Sequence, residues 1–375
     1  MTSPAVALPQ DAPLVARSVL VRDPGPLIPL LPPEAPLSWV HRGDGLVAWG
    51  ETARFESAGP GRFTAAERWW RGVSGRAVVR DEADVPGSGL LAFGSFAYAD
   101  EPGRSVLVVP EVVVGRRGDA AWVTTIARGS VPQLPRLTVG AQPDPPRGVV
   151  FSDGATSGAG WELVVAEAVR RIRRGKLDKV VLARDLVAEV DEPLDVRDPL
   201  ARLAERYPAC WTFHVDGLFG ATPEMLVRRE RGLVTSRVLA GTIRRTGDDA
   251  HDIALAATLA RSSKDLEEHE FAVRSVADAL APYCLSMNVP ESPFVLHLPN
   301  VMHLATDVTG VLDDSATSLA LSAALHPTAA VGGTPTEVAV ALIAEIEGMD
   351  RGRYAGPVGW MDSHGDGEWG IALRS

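Results

Sequence analysis

Between Ala141 and Gly148 the chain reads Ala-Gln-Pro-Asp-Pro-Pro-Arg-Gly, and two different hydrophobic patterns meet there. Consecutive prolines fix φ, remove N–H donors and push the preceding residue toward extended backbone, so neither a helix nor a central strand crosses this stretch. Upstream lie short apolar runs bounded by Gly, Pro and Asp: Gly45-Leu-Val-Ala-Trp, Leu90-Leu-Ala-Phe-Gly-Ser-Phe-Ala-Tyr and Ser105-Val-Leu-Val-Val-Pro-Glu-Val-Val-Val. Runs of this length, rich in Val, predict strands, with one helix near residues 64–72. Downstream, Trp161-Glu-Leu-Val-Val-Ala-Glu-Ala-Val-Arg-Arg-Ile-Arg-Arg sets apolar residues at helical spacing, and Gly175 stands where a helix C-terminus favours glycine. The proline stretch is either a linker or a long crossing, dividing a strand-rich half, residues 1–147, from a second half, residues 148–375.

The second half mixes both periods. Lys179-Val-Val-Leu-Ala-Arg-Asp-Leu-Val predicts a strand, as do residues 212–214, 225–229, 302–308, 357–361 and 369–373; helices are expected at 195–207, 251–280, 318–325 and 335–348. Strands broken by helices at irregular intervals indicate an α+β fold with large sheets, because a doubly wound sheet alternates more strictly.

Composition narrows the function classes. An apolar fraction of 46% over 375 residues supports a sizeable core. The net charge is −11 and the 37 Lys and Arg residues are scattered, which excludes the basic stripe that nucleic-acid binding needs. No apolar run approaches the roughly 20 residues that span a bilayer. Cys210 and Cys284 form no CxxC pair, and the start MTSPAVALPQDAPL lacks the charged and apolar regions of a secretory leader, so a cytoplasmic setting is expected.

Four segments carry candidate chemistry. Lys179 opens an apolar strand, where an ammonium either snorkels to water or faces a polar cavity; in the second case desolvation favours the neutral amine that a base requires. Glu224 follows Pro223 at a turn before a strand, and is either an exposed turn residue or an enclosed carboxyl held protonated as an acid. In Ser263-Lys-Asp-Leu-Glu-Glu-His-Glu-Phe, Asp265 and Glu268 are three apart on one helical face, a half-site for Mg²⁺ or simply a solvated acidic surface; Glu267 and Glu270 point elsewhere. Ala240-Gly-Thr reads as a turn whose glycine admits close approach of a ligand, His303 as a core histidine on an apolar strand, and residues 325–335 as a helix end with a glycine-rich loop.

In chain order, Lys179-Val-Val-Leu-Ala-Arg, Ala221-Thr-Pro-Glu-Met-Leu, Leu239-Ala-Gly-Thr, Lys264-Asp-Leu-Glu-Glu-His, His326-Pro-Thr-Ala-Ala-Val-Gly-Gly and Tyr354-Ala-Gly-Pro-Val-Gly-Trp resemble the chorismate-utilising enzymes. That family includes isochorismate, salicylate, anthranilate and aminodeoxychorismate synthases. The resemblance covers residues 161–374, and extends more weakly to Phe93-Gly-Ser-Phe-Ala and Leu107-Val-Val-Pro-Glu. It implies one large domain of two big, mainly antiparallel sheets packed together with helices outside, like anthranilate synthase component I. It also implies chorismate as substrate, Mg²⁺ as cofactor and a monomeric protein.

Roles follow for the matching positions. Lys179 is similar to the lysine that deprotonates water attacking ring carbon 2, and Glu224 to the acid that protonates the hydroxyl leaving carbon 4. Glu268, with Asp265 beside it, would hold Mg²⁺ against the ring carboxylate. Tyr354 and Arg374 would hold the enolpyruvyl carboxylate, with Gly241, Thr242, His303, Ala330 and Leu373 lining the substrate pocket.

The same positions select a branch. Ammonia-using members typically carry glutamine where this chain has Lys179, and aminodeoxychorismate synthases resemble one another in a lysine where it has Ala240. Water is therefore the expected nucleophile. Salicylate synthases, the alternative, are expected to have Thr-Ala where this chain has Ala330-Val331. The implied activity is isochorismate synthase, serving menaquinone, siderophore or salicylate formation. Family members continue past the last strand with a loop and a helix bearing a Glu-x-x-Glu pair, whereas this sequence stops at Ser375. A truncated record is expected, the alternative being a non-catalytic chorismate-binding protein.

Overall fold

In the computed structural model, which describes residues 12–313 and 316–375, the apolar runs pair into two large sheets. The first eleven residues, read above for a leader, lie outside the described residues. The eight-stranded sheet runs in the order Leu218–Thr222, Trp211–Val215, Leu37–His41, Asp44–Trp49, Val112–Arg117, Ala120–Arg128, Leu14–Val21, Val78–Asp81. The ten-stranded sheet runs Cys284–Asn288, Val301–Leu312, Leu233–Arg244, Met225–Glu230, Gly367–Ile371, Pro357–Asp362, Leu91–Ser95, Arg104–Val109, Ala53–Ala58; Phe294–His297 also pairs with Val301–Leu312. Pairing within the two sheets is antiparallel except between Leu14–Val21 and Val78–Asp81. Both sheets draw strands from both sides of the proline stretch, and residues 129–149 form a crossing without helix or strand.

The inner faces of the sheets meet in one apolar layer that contains Trp39, Leu46, Phe93, Val108, Met225 and Trp360. Across that layer Trp39 Nε1 donates to Glu368 Oε2 at 2.7 Å, giving the buried indole its polar partner. Seven helices occur among the described residues: α1 Arg62–Ser74, α2 Gly158–Arg173, α3 Arg197–Arg206, α4 Asp249–Arg261, α5 Ser263–Leu280, α6 Ser318–Leu325 and α7 Thr336–Ile346. Trp70 of α1, Val273 and Val276 of α5 and Leu319 of α6 bury against Val227 and Val234 on the outer face of the ten-stranded sheet. Leu200 of α3 covers the other sheet through Val40 and Val114. This is the expected α+β architecture of two antiparallel sheets with helices outside. No helix among the described residues is long and apolar enough to cross a membrane.

Local signals explain several boundaries. The Ser157 side chain caps α2 by accepting from Gly160 N–H, and Gly175, at φ +69°, adopts the left-handed conformation just past its end. Three expectations need correction. The helix expected over residues 251–280 is two helices, because the Ser262 backbone is extended and its side chain caps α5 by accepting from Asp265 N–H. Ala240-Gly-Thr is not a turn but a bulge inside a twelve-residue strand, with Gly241 at φ +74°. The strand expected over residues 179–187 shrinks to Lys179–Val180, paired with Gly333–Thr334, and a separate strand Leu186–Glu189 follows. Between them Val181 N–H still donates to Gly332 O, while Val181 O accepts from Arg351 and Ala183 N–H donates to Glu347.

Candidate active site

Three elements bring the acid and base candidates together. Lys179 begins its short strand beside the Gly333–Thr334 strand, and its Nζ lies 2.6 Å from Glu268 Oε1 on α5. Both side chains are about one-third exposed. The lysine is thus held by a carboxylate while its side chain stays partly open to solvent. Glu224 enters the same field from the turn before Met225–Glu230. It is 8% exposed, and its N–H donates to Thr222 Oγ1 at 3.2 Å. Burial pushes the Glu224 carboxyl up to about 7, while the positive charge of Lys179 acts in the opposite direction. The exposed-turn reading of Glu224 is therefore overturned. Glu224 borders a small cavity of about 20 Å³ that Ser236, Arg237, Ala272, Ala330 and Ile371 also line.

The helix face divides as its spacing requires. Asp265 and Glu268 are half-buried, and Glu267 and Glu270 are exposed. A Cβ on Gly241 would come within 3.2 Å of Asp265 Cβ and 3.4 Å of Leu304, so the bare α-carbon lets the first turn of α5 settle on the bulge. Glycine is doubly required there because φ is +74°.

The bulge also aligns Thr242 with His303 on the neighbouring strand, and Thr242 Oγ1 and His303 Nδ1 share a 2.9 Å hydrogen bond. His303 Nε2 is buried without a hydrogen-bond partner among the described residues. Burial first, then the Arg374 charge, push His303 below the usual imidazole range, against a contact with the Gly241 backbone. Arg374 is exposed at the end of the last strand and acts electrostatically on Tyr354 as well; burial raises the Tyr354 hydroxyl, and the charges of Arg351 and Arg374 oppose that rise. Leu373 and Tyr354 are half-buried against the main core.

Two groupings result. Lys179, Glu268, Glu224 and Ala330 form one; Thr242, His303, Tyr354 and Arg374 form the other; Gly241 and Asp265 lie at the bulge that supplies Thr242. The described residues contain no cluster of three or more His, Cys, Asp or Glu side chains arranged to hold a metal. The two carboxylates expected to hold Mg²⁺, Asp265 and Glu268, are both half-buried on α5, and Glu268 is paired with Lys179.

Sequence reasoning passed over Glu347 and Arg351, a pair with side chains 1% and 3% exposed. Their four-residue spacing just past α7 was the available signal. It also passed over the role of His269, whose Nε2 shares a 2.8 Å hydrogen bond with Thr306 Oγ1 and ties α5 to the Val301–Leu312 strand.

The family model described as "Chorismate binding enzyme" matches residues 38–375. The salicylate biosynthesis isochorismate synthase of Pseudomonas aeruginosa is 32% identical over 368 residues, covering 90% of this chain and 76% of that protein. Isochorismate synthase DhbC of Bacillus subtilis is 41% identical over 222 residues, 56% of each chain. The solved structure of MenF, the menaquinone-specific isochorismate synthase of Escherichia coli, superposes with a TM-score of 0.80 at 23% identity, covering 99% of this chain and 87% of that one, and shows the shared fold.

Proposed function

The chain belongs to the chorismate binding enzymes, and from that premise we propose that it acts as an isochorismate synthase, hydrating chorismate at ring carbon 2 with loss of the hydroxyl at carbon 4. The observation that carries the reading is Glu224: a buried carboxyl whose proton is retained to about pH 7, within electrostatic reach of Lys179. A protonated acid and an amine base around one ring are what a water-in, water-out substitution needs.

Lys179 takes a proton from the attacking water as its oxygen bonds to carbon 2. The ring double bonds shift, the bond from carbon 4 to oxygen breaks, and Glu224 gives the departing hydroxyl its proton, releasing water. One water enters and one leaves, so substrate and product are isomers. Tyr354 and Arg374 hold the enolpyruvyl carboxylate, the arginine supplying a planar fork for it. Thr242 fixes His303 from the Nδ1 side, leaving Nε2 without a partner among the described residues, and Gly241, Ala330 and Leu373 would complete the ring pocket.

Asp265 and Glu268 would hold Mg²⁺, which when bound supplies positive charge for the ring carboxylate. Glu268 would then exchange its lysine partner for the cation, leaving Lys179 free of its counter-ion.

Incubation with chorismate and Mg²⁺, followed by chromatography of the products, tests the proposal. Isochorismate alone is expected, since Ala330-Val331 resembles the branch that stops there. Salicylate with pyruvate supports the salicylate synthase reading instead, and anthranilate formed with ammonium overturns the choice of nucleophile. Chorismate binding without turnover favours the non-catalytic alternative.

A further inference from the structure

The ion pair of Glu347 with Arg351 lies outside the reaction groups, yet it touches the segments that carry them. Arg351 Nε donates to Glu347 Oε1 and Nη2 to Glu347 Oε2, both at 2.6 Å. The same guanidinium donates from Nη1 to Val331 O at 2.9 Å and from Nη2 to Val181 O at 2.8 Å, and its centre lies 4.3 Å from the centroid of the Tyr98 ring. Glu347 Oε2 accepts from Ala183 N–H at 2.9 Å. Val181 follows Lys179 by two residues, and Val331 adjoins Ala330.

The two-residue strand, with flanking bonds from Asp178 N–H to Thr334 O and Val181 N–H to Gly332 O, is a short support for a base. Past Val180 the segment keeps one backbone bond, Val181 N–H to Gly332 O at 2.9 Å, and the Arg351 guanidinium and Glu347 carboxylate bond Val181 O and Ala183 N–H beyond it. Arg351 uses its fork geometry to meet a carboxylate and two carbonyls from different segments at once, which a lysine ammonium cannot do with the same directionality.

We propose that the buried Glu347–Arg351 pair is a positioning device that sets the Lys179 segment against the Thr328–Thr334 loop, fixing the base relative to the ring wall at Ala330. This rests on the catalytic reading of Lys179 given above. Neither residue of the pair touches the reacting atoms; Arg351 is a positioning residue, and its effect should fall on turnover rather than on substrate capture.

Two variants separate positioning from simple structural support. The double variant E347M/R351M replaces the pair with apolar side chains, a change that buried ion pairs often tolerate without unfolding. R351K keeps the charge and its attraction to Glu347 while losing the fork. Each is compared with the wild type and with K179Q by thermal unfolding monitored by circular dichroism, chorismate KM and kcat. Cooperative unfolding is expected in both, with kcat down about a hundredfold, the scale of a misplaced catalytic group, and KM changed by less than about threefold on the same grounds. A folded variant of either kind with wild-type kcat overturns the proposal, as does a rise in KM at unchanged kcat. Should K179Q turn over as fast as the wild type, the assignment of the base fails, and the positioning proposal fails with it by a separate route.

Discussion

Lys179 and Glu268, 89 positions apart in the chain, meet at 2.6 Å, joining the short strand that presents the proposed base to the helix that presents the acidic motif. Each is partly exposed, so the pair adds little to folding stability, on the order of 1 kcal/mol or less. In the proposed reaction its importance is chemical. Replacing Lys179 by Gln should leave the melting temperature nearly unchanged while lowering turnover by about a hundredfold to ten-thousandfold, the usual contribution of a general base. Calorimetry should still detect chorismate binding. Full turnover in this variant would remove Lys179 from the mechanism.

As the proposed general acid, Glu224 should set the alkaline limit. A general acid must carry its proton, and burial holds this one to about pH 7, so turnover should decline roughly tenfold per pH unit above that point. Glu224→Gln should abolish most activity at every pH. Stability follows the same titration: the folded-state value lies above the unfolded 4.5, so the contribution is complete below 4.5 and is lost as pH rises through about 7. The loss is on the order of 3 kcal/mol, and denaturant titrations at pH 4.5 and pH 8 should show a smaller difference in the Gln variant than in the wild type.

Chelation tests the carboxylates of α5. Removing divalent ions with EDTA should stop turnover, and added Mg²⁺ should restore it. Glu268→Gln and Asp265→Asn should each raise the Mg²⁺ concentration for half-maximal activity by at least about tenfold. An unchanged Mg²⁺ requirement in both variants would put the metal elsewhere.

Gly241→Ala probes the bulge. A Cβ at φ +74° is strained by about 1–2 kcal/mol, and it would sit 3.2 Å from Asp265 Cβ, pressing on the first turn of α5. A lowered melting temperature together with a raised Mg²⁺ requirement is expected. Wild-type values for both would mean that α5 does not depend on that close approach.

Legibility in the sequence was uneven for physical reasons. α6 coincides with its expected residues 318–325, and α2 carries its signals locally in apolar period, Ser157 cap and Gly175. The partition of the acidic motif, with Asp265 and Glu268 half-buried and Glu267 and Glu270 exposed, follows from helix geometry alone. The Leu233–Arg244 strand was missed because its middle looked like a turn; its pairing with Val301–Leu312 absorbs Gly241 as a bulge.

What the amino-acid order determined by itself was the set of periodic elements, the α+β class and the succession of motifs that resembles one enzyme family, since each depends on neighbours within a few residues. Tertiary structure decided whether Glu224 is enclosed, that Lys179 meets Glu268, and that Glu347 and Arg351 bind the backbone just past Lys179. Burial and charge pairing are set by groups distant in the chain, and only the packing of the two sheets with α5 and α7 brings those groups within range.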